Sequence, residues 1–142
     1  MFETYNLKET IQQIESKLTE SHDFIVNEKD ERLKILKHLA VIAKRNKVKR
    51  FDSSVKRAIG NAVRYGQCPV TINASATNDR QLLIVIKDQG KGFDYNAVLA
   101  KFKAGKKYYH RGGSGIKALS KNKHNHVCWH DGGRTISILF DK

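Results

Sequence analysis

The sequence predicts an α+β fold, a two-layer sandwich with helices on one face of a mixed β-sheet. Three observations carry this. Residues 30–65 repeat their apolar side chains with a helical period. An alternating, β-prone run and then a continuous apolar run follow Pro69, the only proline. Near the end, Asp131-Gly132-Gly133 separates two further strand-like runs, as a hairpin turn does. A chain of 142 residues suits one domain. Its 39% apolar content supports a single core, and its apolar runs are far too short to span a membrane.

The elements read as follows. Leu7, Ile11, Ile14 and Leu18 give residues 6–20 a narrow apolar stripe, predicting an amphipathic helix. Residues 1–22 thus form an N-terminal helix that packs on the domain or on a second copy, and residues 23–142 form the domain proper. Phe24-Ile25-Val26 predicts a short edge strand. Asp30 suits a helix N-cap, and Leu33, Leu36, Leu39/Ala40 and Ala43 give that helix its apolar face as far as Asn46. A second helix starts at Asp52 or Ser53, with Val55, Ile59, Ala62 and Val63 on its core face. Arg57, Asn61 and Arg64/Tyr65 fall on a neighbouring stripe, and Gly66 stops the helix.

Val70, Ile72 and Ala74 alternate with Thr71, Asn73 and Ser75, and Asn78-Asp79 supplies a turn to the strand Leu82 to Lys87. A lysine-rich segment leads to a further helix start at Ile116. His126 to His130 and Thr135 to Phe140 then form the final hairpin. Its turn requires positive φ, which explains the glycines.

Charge narrows the partners. With 27 Lys and Arg against 14 Asp and Glu, the chain carries a formal +13. That favours polyanions: nucleic acid, nucleotide phosphates or an acidic protein face. The first residues, Phe2-Glu3-Thr4-Tyr5, show no export signal, so a cytoplasmic location with Cys68 and Cys128 as free thiols is expected.

The chemistry concentrates between Val85 and Leu119. Asp88 ends an apolar strand, where a carboxylate is costly unless it finds donors, and an adenine-type amine is one. Gly90 and Gly92 let the backbone turn sharply and approach a flat ring. Gly112, Gly113 and Gly115 precede the Ile116 helix, whose unpaired amides and positive dipole end suit phosphates. Residues 95–130 hold eight cations, including Lys107 and Arg111, and no acid, the composition of a cationic lid. Asn61 has a carbonyl oxygen that could face a phosphate-held Mg²⁺.

Three stretches in this order resemble the boxes of the GHKL ATPases, the superfamily that includes gyrase and the histidine kinases. Ala58-Ile59-Gly60-Asn61-Ala62-Val63-Arg64-Tyr65-Gly66 is similar to the N-box. Asp88-Gln89-Gly90-Lys91-Gly92-Phe93 is similar to the first glycine box, and Gly113-Ser114-Gly115-Ile116 to the second. The resemblance covers roughly residues 23–141. It is strongest to the bacterial anti-sigma-factor serine kinases. It implies the Bergerat (histidine-kinase-like) ATP-binding fold, with ATP or ADP and Mg²⁺ as cofactors. Asn61 would bind Mg²⁺ through ATP, Asp88 would read adenine, and Gly90 and Gly92 would shape its pocket. Gly113 and Gly115 would carry the phosphates, with residues 94–111 as lid. Arg57, Tyr65, Phe93, Lys107, Arg111, Ser114, Ile116 and Thr135 complete the implied nucleotide site. The implied protein partner is a sigma factor or an anti-anti-sigma-type protein.

One departure matters. The family's N-box places a general-base glutamate four residues before the asparagine, and here that residue is Arg57. A guanidinium does not accept a proton near neutral pH. The expectation is ATP binding with weak or absent phosphotransfer, and an output by nucleotide-dependent protein contact. The alternative is a non-enzymatic binder of nucleic acid or acidic protein on a degenerate nucleotide fold. It has the charge but lacks interleaved aromatics beyond Tyr108-Tyr109.

His124, His126, Cys128 and His130 alternate along one strand and therefore share a face. Imidazole and thiolate suit Zn²⁺, but a straight row seldom wraps one metal tetrahedrally. Polar exposure, with Val127 and Trp129 turned to the core, is the simpler reading.

Overall fold

A computed structural model describes residues 18–48, 51–65, 67–77, 81–92, 97, 100, 101, 104 and 125–140. Among them are five strands and two α-helices. In chain order these are β1 (Leu18–Val26), α1 (Arg32–Arg45), α2 (Phe51–Tyr65), β2 (Val70–Thr77), β3 (Leu82–Lys87), β4 (Asn125–His130) and β5 (Thr135–Phe140). The sheet order is β1-β2-β3-β5-β4, so β3 is central and β1 and β4 are the edges.

Alternation fixes which side chains meet. Ala74, Ile84 and Ile138 lie in register across β2, β3 and β5, and Val127 continues the row on β4. All four are essentially inaccessible and belong to the main core. The two helices cover this face. From α1 come Ile35, Leu39, Ile42 and Ala43, and from α2 come Val55, Ala58, Ile59, Ala62 and Val63. On the opposite face Leu83 and Leu139 pair across β3 and β5 as a second, smaller buried cluster. Thr135 and Ser137 are buried beside them.

Hydrogen bonds finish the helix ends. The Glu31 carboxylate accepts from the amides of Asn27 and Glu28 at 3.2 and 2.9 Å, holding the 3-10 turn Lys29–Glu31 that leads into α1. At the far end the Asn46 amide donates to the Ile42 carbonyl at 3.1 Å. Lys44 and Arg45 sit in that last turn, where cations oppose the negative end of the helix dipole.

Several expectations change. The sheet is not mixed: every described strand pair is antiparallel. The helix predicted for residues 6–20 cannot extend through its last turn, because Leu18 already opens β1 and pairs with Thr77. Pairing along β2 satisfies the backbone groups of residues 18–26, which outweighs the apolar stripe. Residues 1–17, the helix stop at Gly66 and the turn at Asn78-Asp79 lie outside the described residues. The edge strand is accordingly longer than Phe24-Ile25-Val26. Asp30 is not the cap; Glu31 holds that position, without a side-chain bond to the helix. The second helix opens at Phe51 rather than Asp52 or Ser53. The buried arc of α1 is also rotated from the predicted one: Leu33 is exposed, and Ile35 and Ile42 are buried. The helix carries more apolar residues than the sheet covers, so packing selected the arc centred on Leu39.

Candidate functional site

Asp88 stands one residue beyond β3. Its amide donates to the Arg134 carbonyl at 3.0 Å, extending the β3–β5 ladder past the Lys87–Thr135 pair. The residue is buried, with 9% of its surface exposed. Its Oδ1 accepts from the Gly90 amide at 2.7 Å, which folds residues 88–90 into a tight Asx turn. Among the described residues, that amide is the one donor reaching the carboxylate. The next amide, Gln89, donates to the Gln67 carbonyl at 2.9 Å. The Asp88 loop is therefore held on one side by the start of β5 and on the other by the segment leaving α2.

Gly92 has φ of +77°, a region open to glycine and costly for other residues. A Cβ there would collide with the Gly132 carbonyl oxygen and lie 2.9 Å from its carbon. Glycine at 92 is thus required by the β4–β5 turn, without any ligand. That turn carries three consecutive positive φ values: 56° at Asp131, 65° at Gly132 and 87° at Gly133. The glycines meet the predicted need, and Asp131 joins them. Arg134 ties the turn shut, donating through Nε to the Asp131 carbonyl at 3.2 Å and through a guanidinium NH₂ to Asp131 Oδ1 at 3.1 Å. Lys87 Nζ lies 4.0 Å from the other carboxylate oxygen.

Thr135, buried at the start of β5, lies beside this loop. On α2, Arg57, Asn61 and Arg64 are exposed at spacings of four and three, the predicted stripe beside the core face. Tyr65 ends the helix. No Asp or Glu lies between Val55 and Tyr65, so this helix face offers cations and an amide but no proton acceptor of the carboxylate kind.

The structure thus brings together Asp88, Gly90, Gly92 and Thr135, and joins their loop to the chain leaving the Asn61 helix. Phe93, Lys107, Arg111, Gly112, Gly113, Ser114, Gly115 and Ile116 lie outside the described residues, as does His124. His126, Cys128 and His130 are positions of β4, between which Val127 and Trp129 are buried as expected. Cys68 is a free, half-buried thiol. Among the described residues no group of three His, Cys, Asp or Glu forms a metal site. No helix among them is long and apolar enough to cross a membrane.

Three features escaped sequence reasoning: the Gln67–Gln89 bond, the Gly92–Gly132 contact and the Asp131–Arg134 clasp. The one signal pointing to them was the glycine pair in the hairpin turn. A fourth feature lies where β1 meets α1. There Glu20 interacts with His22 Nε2 at 2.9 Å and accepts from Arg45 at 2.9 Å and from Asn46 at 3.1 Å. Hydrogen bonding to His22, then to Asn46, and the Arg45 charge hold its carboxyl below the ordinary 4.5.

No family model matches the chain, and neither curated proteins nor solved structures give a match.

Proposed function

We propose that the chain is an ATP-binding regulatory domain of the GHKL, Bergerat-fold type, with weak or absent phosphotransfer. The supporting observation is the Gln89–Gln67 hydrogen bond, which joins the loop of the first glycine box to the segment immediately after the N-box helix. Two motifs that are far apart in sequence meet there, around a buried carboxylate. The residues suit the nucleotide. Asp88 has a carboxylate with one described donor, so it retains acceptor capacity for an exocyclic amine. Asn61 is exposed, and its amide oxygen would be the group to face a Mg²⁺ held by the phosphates. Gly90 keeps the backbone close to Asp88, and Thr135 adds a hydroxyl at the same strand ends.

Bound ATP with Mg²⁺ would supply a transferable phosphoryl group. Arg57, one turn before Asn61, would add a fixed positive charge near it rather than take a proton. The chain then acts mainly as a nucleotide-dependent contact for a protein such as a sigma factor or an anti-anti-sigma-type protein.

Isothermal titration of the full chain with a non-hydrolysable ATP analogue tests this. Binding should require Mg²⁺ and weaken about tenfold or more in Asp88→Asn, the loss of one charge-assisted hydrogen bond. No heat at millimolar nucleotide, or an unchanged affinity in Asp88→Asn, overturns the reading. In that case duplex DNA in the same cell tests the polyanion alternative, which the +13 charge supports.

A further inference from the structure

We propose that the outward face of α1 docks an acidic amphipathic helix of a partner protein. This surface does not involve the nucleotide site and stands independently of it. The helix has eight apolar residues among fourteen, and the core uses Ile35, Leu39, Ile42 and Ala43. Leu33 and Val41 are left 58% and 60% exposed. They are eight residues apart, about 12 Å along the axis and about 80° around it, at the two ends of one inclined i, i+4, i+8 ridge. Lys37 stands midway between them, and Lys34 and Lys44 flank the row; all three are exposed. The helix contains no Asp or Glu. The result is a row of two aliphatic side chains set among lysines.

The composition selects the occupant. A phosphate backbone would satisfy the lysines but has no apolar group to cover Leu33 and Val41. A second copy of this chain carries +13 and would bring lysines against lysines. A membrane surface takes up helices with a broad free apolar face, and the broad face of α1 is already committed to the sheet. An acidic helix with apolar residues two turns apart, bordered by carboxylates, complements both features at once. His38 stacks on Phe24 of β1 with ring centroids 6.0 Å apart, so it stands on the side of the helix toward the sheet edge. Arg45 is engaged by Glu20.

The test uses the full chain and a synthetic glutamate-rich helical peptide with leucines at two-turn spacing. Binding is followed by fluorescence anisotropy, with a DNA duplex and phosphatidylglycerol vesicles as parallel probes. The peptide should bind and weaken about tenfold in the double variant Leu33→Ser/Val41→Ser, and by a similar factor in Lys34→Glu/Lys37→Glu. These positions are exposed, and circular dichroism confirms that each variant is folded. The proposal is overturned by failure of the peptide to bind. It is equally overturned if either double variant leaves peptide affinity unchanged. A duplex or vesicle that outcompetes the peptide for the lysines, indifferent to Leu33 and Val41, assigns the face to a polyanion or a membrane instead.

Discussion

Gly92 lies so close to Gly132 that a side chain on the first would meet the backbone of the second. This contact joins the loop after β3 to the turn between β4 and β5, at one end of the strand that pairs with both β3 and β4. Gly92→Ala therefore carries two penalties: a left-handed backbone at +77° and a collision with a carbonyl that the Asp131–Arg134 clasp keeps in place. Together these cost about 2–5 kcal/mol. Urea unfolding should show a lower midpoint at an unchanged slope. Gly60 is the internal contrast. It lies inside α2, where an added methyl group would find nothing within 4 Å. Gly60→Ala should raise stability by about 0.5–1 kcal/mol through helix propensity alone. If both substitutions behave alike, the Gly92–Gly132 contact has no structural weight.

Ser137 is fully buried on the sheet face away from the helices, and its hydroxyl has no hydrogen-bond partner among the described residues. An unpaired buried hydroxyl is a penalty that alanine removes at nearly the same volume. Ser137→Ala should therefore be neutral or more stable, by up to about 1–3 kcal/mol, in contrast to the usual loss for a buried substitution. A thermal scan of the two proteins settles the sign; a clear fall in melting temperature would mean that the hydroxyl is satisfied.

The strands were legible as a strict alternation in Val70 to Ala74 and as an unbroken apolar run in Leu82 to Ile86, which is buried on both faces of the sheet. The hairpin was legible because only glycine accommodates several positive φ values cheaply, and both Gly132 and Gly133 take them. The arc of α1 was not legible, since its apolar residues cover more than one face and only the sheet decides which is buried. Leu18 was misplaced for a related reason: a helical stripe in the sequence carries no information about a strand edge open to pairing. At the site, Asp88 was readable from its place at the end of an apolar run. The Gln67–Gln89 bond was not, because it joins two backbones and leaves no mark on side-chain identity.

Glu20 gives the fold a predictable acid response. Its folded pKa lies below the ordinary 4.5, so its contribution is complete above that value and is lost as pH falls through the folded pKa. Glu20→Gln keeps an acceptor but has no charge to lose. The variant should be less stable than the parent at neutral pH, and the gap should close as pH falls below 4.5 and through the folded pKa. Urea midpoints across this range read the gap directly. Arg45 is more than half exposed, so salt should narrow the difference at neutral pH. A gap that stays constant with pH would show that Glu20 acts by packing rather than by charge.

Arg57 bears on whether the nucleotide reading extends to chemistry. It is exposed on α2 one turn before Asn61, so a side chain at 57 projects beside the amide proposed to face Mg²⁺. Arg57→Glu changes no core residue: Val55, Ala58 and Ile59 hold the buried face. If the missing base is what limits turnover, the glutamate should raise phosphate release or serine phosphorylation by about 10²- to 10⁴-fold at saturating ATP. Arg57→Gln removes the positive charge without providing a base, and should stay close to the parent. Nucleotide affinity, measured separately by titration, distinguishes the two contributions. Removing the guanidinium should weaken ATP binding in both variants, whereas only the glutamate should accelerate the reaction. Equal rates in Arg57→Glu and Arg57→Gln, with ATP still bound, would mean that the base was never the limiting element.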